Sequence, residues 1–240
     1  MILFASFAPA TGLRDVVRAL ERRYQHAATL RAVFFERYSD GNGGVAAESG
    51  TVYFSRPGRM RWEYESPESK LFLVDGTNVW FYVPADRTAS RAKLKESSDW
   101  RTPVALLAGK ADLAQMCSHI ELVDSIATAV DKSNETTVAP STKPNDRPAG
   151  DAPAPGDSML RCAPRGSSDK SPDAIREILF EVDSNSDLVR VVIRQPGNAE
   201  TEFRFGAWQL NIPIAEAKFH FEAPPGVAIV DEATLAGALH

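Results

Sequence analysis

The residue types that most often carry chemistry are scattered through this chain. Its four histidines, His26, His119, His220 and His240, lie far apart, and none stands with a cysteine or aspartate in a catalytic spacing. Cys117 and His119 are close in sequence but lack the further ligands a zinc ion needs, so they read as neighbours on a strand. Asp183-x-Asn185-x-Asp187 opens like a calcium loop, yet the glycine and the closing glutamate are missing, and a hairpin turn accounts for it. There is no G-x-S-x-G, H-E-x-x-H, P-loop or G-x-G-x-x-G, and the carboxylates follow no paired spacing. The expectation is therefore a protein that is not an enzyme and holds neither metal nor cofactor.

The pattern that stands out is apolar. Phe34, Phe35, Tyr53, Phe54, Met60, Trp62, Tyr64, Phe72, Trp80, Phe81 and Tyr82 crowd the first half of the chain. Two runs, Leu71-Phe72-Leu73-Val74 and Val79-Trp80-Phe81-Tyr82-Val83, are apolar on both faces of a strand. A solid core would use many of these residues. A curved sheet around an apolar interior would use them too, and such an interior can take hydrocarbon. The expected lining is Val52, Phe54, Met60, Trp62, Leu71, Leu73 and Trp80, faced by Leu13, Val17, Leu106 and Leu107 from helices. Strand parity decides each assignment, because a slip of one residue exchanges the faces.

The elements that would position this wall follow from periodicity. Leu13, Val16, Val17, Leu20 and Tyr24 recur at helical spacing and predict an amphipathic helix over 12–28, with Thr11 as a possible N-cap. The period then changes to two. Strands are expected over 29–40, 48–55, 59–65, 69–75, 78–84 and 87–94, separated by Asp40-Gly41-Asn42-Gly43-Gly44, Arg56-Pro57-Gly58, Ser66-Pro67-Glu68 and Asp75-Gly76 turns. Thr102-Pro103 opens a second helix, with threonine at the N-cap and proline at the first helical position. Further strands are expected over 116–123, 158–163, 175–183, 188–194 and 200–207, then a short helix over 213–218 and an extended Phe219-His220-Phe221. Residues 127–157, rich in Pro, Ala, Ser, Thr and Asp, cannot bury enough apolar surface to order themselves and read as an insert, since the strand pattern resumes after them.

Composition bounds the rest. A chain of 240 residues with 43% hydrophobic residues can build one sizeable β domain. A net charge of -5 argues against nucleic acid and against a polybasic membrane anchor. No stretch approaches the ~20 apolar residues of a membrane-spanning helix. The apolar start, Met1 to Ala10, ends in Ala8-Pro9-Ala10 and reads as the remnant of an export signal, with the domain running over 11–240. Two cysteines, Cys117 and Cys162, permit one disulfide, and the sequence leaves open whether they meet.

Taken together, several runs resemble the outer-membrane lipoprotein carrier protein family, LolA. They are Gly50-x-Val52-x-Phe54-x-Arg56-Pro57-Gly58-x-Met60-x-Trp62-Glu63, then Pro67, then Leu71-x-Leu73-x-Asp75-Gly76-x-x-Val79-Trp80-x-Tyr82. Thr102-Pro103 with Leu106-Leu107, Cys162-Ala163-Pro164-Arg165, Asn211-x-x-Ile214 and Phe219-x-Phe221-x-x-Pro224-Pro225-Gly226-Val227 continue the likeness. The chain departs from the family's pattern at Met60, where a phenylalanine is usual, in the insert at 127–157, and in its short tail after Asp231.

The resemblance implies a mainly β (α+β) fold. It is an unclosed antiparallel β-barrel, here of about eleven strands, with the N-terminal helix and short helices as a lid over a hydrophobic cavity. It implies a monomeric periplasmic carrier that binds the acyl chains of lipoproteins. Such a carrier receives them from an inner-membrane ABC lipoprotein-release transporter and passes them to an outer-membrane acceptor. Arg56 matches the arginine that holds the lid shut through hydrogen bonds to lid backbone. A lipid- or lipoprotein-sensing regulator on the same scaffold is the alternative.

Overall fold

The computed structural model describes residues 12–94, 107, 112–123, 152–165 and 174–232. The expected N-terminal signal remnant, Leu106, most of the 102–113 helix and most of the 127–157 insert lie outside the described residues.

Helix α1 spans Leu13–Gln25 and buries Val16, Leu20 and Tyr24, one stripe at a spacing of four. Asp15 in its first turn and Arg22 and Arg23 in its last complement the helix dipole. Gly12, not Thr11, stands at the N-cap, with no side-chain cap. Twelve strands follow among the described residues. They are β1 (Thr29–Ser39), β2 (Val45–Ser55), β3 (Arg59–Ser66), β4 (Lys70–Val74), β5 (Asn78–Val83), β6 (Thr88–Lys93), β7 (Cys117–Val123), β8 (Ser158–Pro164), β9 (Glu177–Val182), β10 (Leu188–Arg194), β11 (Glu200–Leu210) and β12 (Ala228–Asp231). A short helix α2, Leu113–Met116, leads into β7, and Asp112 caps it by accepting from the Gln115 amide at 2.7 Å. The expected helix at 213–218 is a 3-10 turn over Glu216–Phe219.

The strands form one sheet in the order β12-β6-β5-β4-β3-β2-β1-β11-β10-β9-β8-β7. Among the described residues its two edge strands, β12 and β7, do not pair, so the barrel is unclosed. Eleven of the strands match the expected pattern. The twelfth, β12, is exposed and only four residues long, too short for periodicity to reveal. It lies parallel to β6, and Arg91 grips Asp231 through two bonds of 2.6 and 2.9 Å.

The sheet curls. β3 and β11 are three strand steps apart, roughly 14 Å on a flat sheet. The Trp62 ring on β3 nevertheless sits 5.5 Å from Phe203 and 6.1 Å from Phe205 on β11. One large cluster fills this inner face, running from Val74 on β4 to Cys162 on β8. Gly50 helps the bend. It faces Phe34 and Tyr64 across the ladders at a register shift, and a Cβ there would lie 1.9 Å from the Glu63 carbonyl oxygen.

Gly50→Ala is expected to lose about 1–3 kcal/mol of stability through this overlap. At Gly206 a Cβ would meet only Val33 Cγ2 at 3.7 Å, so Gly206→Ala serves as the near-neutral control. Urea unfolding of both variants checks the difference, and equal midpoints would remove the close-approach argument.

Candidate functional site

The inner wall is built by alternation. β2 supplies Val52 and Phe54, and β3 supplies Met60, Trp62 and Tyr64, all buried. The register sets Val52 opposite Trp62 and Phe54 opposite Met60. Trp62 lies at the centre, edge-on to Phe34 at 4.8 Å and to Phe54 at 6.3 Å. Leu13 and Val17 of α1 pack against this cluster half-buried, and Leu107 is wholly buried in it. The structure therefore brings together Val52, Phe54, Met60, Trp62, Leu13, Val17 and Leu107.

It separates Leu71, Leu73 and Trp80 from them. Leu73 pairs with Trp80 and Leu71 with Tyr82, and all lie on the outer face, where Ile214, Phe219 and Phe221 of the C-terminal segment cover them. Their neighbours Phe72, Val74, Val79 and Phe81 face inward instead. The expected lining is corrected at these three positions. β4 and β5 are apolar on both faces, so alternation holds no record of which side is inside. Phe203 and Phe205, absent from the expected lining, alternate with polar residues along β11, and that signal could have found them.

Arg56 follows β2 directly. Its amide donates to the Ala28 carbonyl at 2.9 Å, which fixes the backbone. Its half-buried guanidinium donates from Nη2 to the Leu107 carbonyl at 3.3 Å. Burial draws its pKa below the ordinary arginine value. The bond joins the end of β2 to Leu107, which is buried against the inner face.

α1 is held differently. The Arg23 Nε donates to Asp187 at 2.7 Å, and the Tyr24 hydroxyl accepts from the Leu188 amide at 2.9 Å. Tyr24 is wholly buried and stacks edge-on to Trp208 at 5.3 Å, and burial raises its pKa. Glu21 accepts from the Leu113 amide at 3.1 Å. Cys117 and Cys162 are joined in a disulfide with Cα atoms 5.5 Å apart, which settles the open pairing and ties β7 to β8.

One end of the inner face is polar. Glu36 on β1 is only 3% exposed and accepts from the Tyr64 hydroxyl at 2.9 Å. Glu48 and Lys70 form an ion pair beside it, and the Lys70 ammonium sits 5.8 Å from the Tyr64 ring centre. Burial pushes the Glu36 carboxyl up to about 8, and Glu48 adds to the rise, while the Tyr64 bond and Lys70 oppose it. Among the described residues, no group of three or more His, Cys, Asp or Glu side chains could hold a metal ion, and no helix is long and apolar enough to cross a membrane.

Comparison with known proteins agrees with this architecture. The model of the family described as outer membrane lipoprotein carrier protein LolA matches residues 25–136. An outer-membrane lipoprotein carrier protein from Nitrosospira multiformis is 32% identical over 122 residues, 50% of this chain and 56% of that protein. The chain thus spans about half the length of that relative. A protein of the same description from Hahella chejuensis is 26% identical over 218 residues, 90% of this chain and 88% of that one. Among solved structures, an uncharacterized conserved protein from Thermus thermophilus superposes with a TM-score of 0.50 at 10% identity, covering 91% of this chain and 98% of that one, a likeness of fold.

Glu36 also links stability to pH. Its carboxyl is raised from an ordinary 4.5 to about 8, so the native state holds a proton that the unfolded chain releases. That contribution is complete below pH ~4.5 and is lost as pH rises towards ~8. Glu36→Gln keeps an acceptor for Tyr64 and removes the titration. Between pH ~5 and ~8 the wild type is expected to lose about 3 kcal/mol relative to the variant in urea unfolding. Parallel pH profiles would show that Glu36 does not titrate in this way.

Proposed function

We propose that this chain, whose residues 25–136 match the model of the LolA family, binds acyl chains of lipoproteins against its inner aromatic wall and carries them through the periplasm. In this reading it takes its cargo from an inner-membrane ABC transporter and delivers it to an outer-membrane acceptor, as a monomer and without catalysis. The observation that carries the reading is the join between Arg56 and Leu107. Leu107 is buried against an apolar wall, and the Arg56 side chain reaches its carbonyl at 3.3 Å. The disulfide between Cys117 and Cys162 suits an oxidising compartment outside the cytoplasm.

The energetics suit a carrier. Each buried methylene of an acyl chain contributes about 0.8 kcal/mol, so a long chain in water is unfavourable by on the order of ten kcal/mol. The wall offsets that cost only if the cover at Leu107 moves aside. Closing the cover then returns the protein to its own packed interior and expels the cargo. A charged hydrogen bond contributes about 1.5–3 kcal/mol, enough to bias the two states without locking either. Val52, Phe54, Met60 and Trp62 are the wall residues in this proposal, Leu13, Val17 and Leu107 the cover, and Arg56 the latch.

Arg56→Leu removes the latch and leaves the strands intact. The variant is expected to keep its circular dichroism spectrum, to bind a hydrophobic dye about tenfold more tightly, and to purify with retained lipid. A variant that loads and releases lipid like the wild type would refute the latch.

A further inference from the structure

Three tryptophans lie among the described residues, and their indole N–H groups are treated differently. Trp80 donates from Nε1 to Asp75 at 2.9 Å, and Trp208 donates to the Leu188 carbonyl at 2.9 Å. Both are partly exposed or at an edge of the core. Trp62 is wholly buried, where an unpaired donor is least tolerated, yet its Nε1 has no hydrogen-bond partner among the described residues.

The surroundings explain why the donor stays unpaired. The rings of Phe34, Phe54, Phe203 and Phe205 pack around the indole at 4.8–6.3 Å, and none offers an acceptor of ordinary strength. The nearby polar side chain on the same face of β3, Tyr64, already spends its hydroxyl on Glu36. A plain hydrocarbon site would use phenylalanine here, as the neighbouring positions do. An indole adds one feature, a donor in an otherwise apolar setting, and a hydrogen bond formed there is strengthened by the low local dielectric.

We propose that the Trp62 indole N–H receives the carbonyl oxygen of a bound acyl group, so that the inner wall selects acyl esters and amides over hydrocarbon chains that lack a carbonyl. This rests on the reading that the wall binds acyl chains, and it names the chemical class that the wall prefers. The carbonyl satisfies a donor that no described residue accepts from. The aromatic rings take the methylenes on either side of it.

The test uses the full chain and two probes that differ only at the linkage, hexadecanoyl glycerol and hexadecyl glyceryl ether, each competing with a hydrophobic dye. The wild type is expected to bind the ester about five- to tenfold more tightly than the ether, one hydrogen bond's worth. Trp62→Phe keeps the ring and is expected to bind both probes with the ether's wild-type affinity. Equal binding of the two probes by the wild type would overturn the assignment of the donor while leaving acyl binding standing. No binding of either probe would overturn acyl binding itself. An ester preference that survives Trp62→Phe would place the donor elsewhere. Should the variant fold poorly, isotope-labelled tryptophan in the wild type gives the same answer by NMR. The Trp62 indole proton is expected to move downfield with the ester and not with the ether, and an unmoved signal overturns the proposal.

Discussion

Trp62 reaches Phe203 and Phe205 only because the sheet between β3 and β11 bends, and that bend sets what every other element must do. Burying one indole contributes roughly 5 kcal/mol of transfer free energy, large against the net stability of a domain. A sheet curled around it has an inner face too apolar for water and an opening where its edge strands fail to meet. Among the described residues that face is covered by helical residues and not by a further strand. α1 and the chain at Leu107 bury against this cluster. Gly50 belongs to the same constraint, since the tight passage of β3 past β2 leaves no room for a side chain.

The outer face solves a different problem in two ways. Beneath the C-terminal segment it is apolar, with Leu73, Trp80 and Phe219 packed together and Lys218 fixed over the Tyr53 ring at 4.2 Å. Over β9, β10 and β11 it is charged. Arg190 and Glu202 are both nearly buried and meet at 2.6 Å, and Arg204 joins Glu202 at 2.8 Å. Arg194 bridges Glu177 and Glu200 at 2.7 and 3.1 Å. Charges so deeply placed are tolerable only when paired, and the antiparallel register sets opposite signs side by side. Among these ions the outer face also buries a small apolar cluster of Met159, Leu179 and Val192, and the Ala154 amide donates to Glu181 there at 2.8 Å.

How much of this was legible from the residues depends on how each strand meets water. β1, β2 and β3 alternate, and Leu30, Phe34, Val52, Phe54, Met60 and Trp62 turn inward as their period predicts. β4 and β5 do not alternate, because the C-terminal segment covers their backs. Leu71, Leu73 and Trp80 were therefore read onto the wrong side. Glu36 was invisible for the opposite reason. A carboxylate within an alternating strand reads as solvated, and only the partner 28 residues away, Tyr64, makes its burial tolerable. Arg56 stood out by resemblance to a family, not by its own sequence, since an arginine before a proline turn is ordinary. Its meeting with Leu107 is a contact between distant segments that periodicity does not encode.

The described contacts hold α1 and Leu107 against the inner wall in different ways. α1 is fixed by a wholly buried tyrosine that stacks on Trp208 and accepts from Leu188, and by an ion pair from Arg23 to Asp187. Releasing it would expose Tyr24 and Leu20 together, at a cost of several kcal/mol. Leu107 buries one aliphatic side chain, about 1.5–3 kcal/mol, and its carbonyl is met by a long arginine at 3.3 Å. In the proposed carrier an arriving acyl chain would bring more apolar surface than Leu107 withdraws, which would put exchange at that point near balance. The same exchange at α1 would not be near balance. Among the described residues α1 is thus fastened at several points, and in the proposed carrier Leu107 is the part that gives way, with Arg56 bonded to its carbonyl rather than to the wall.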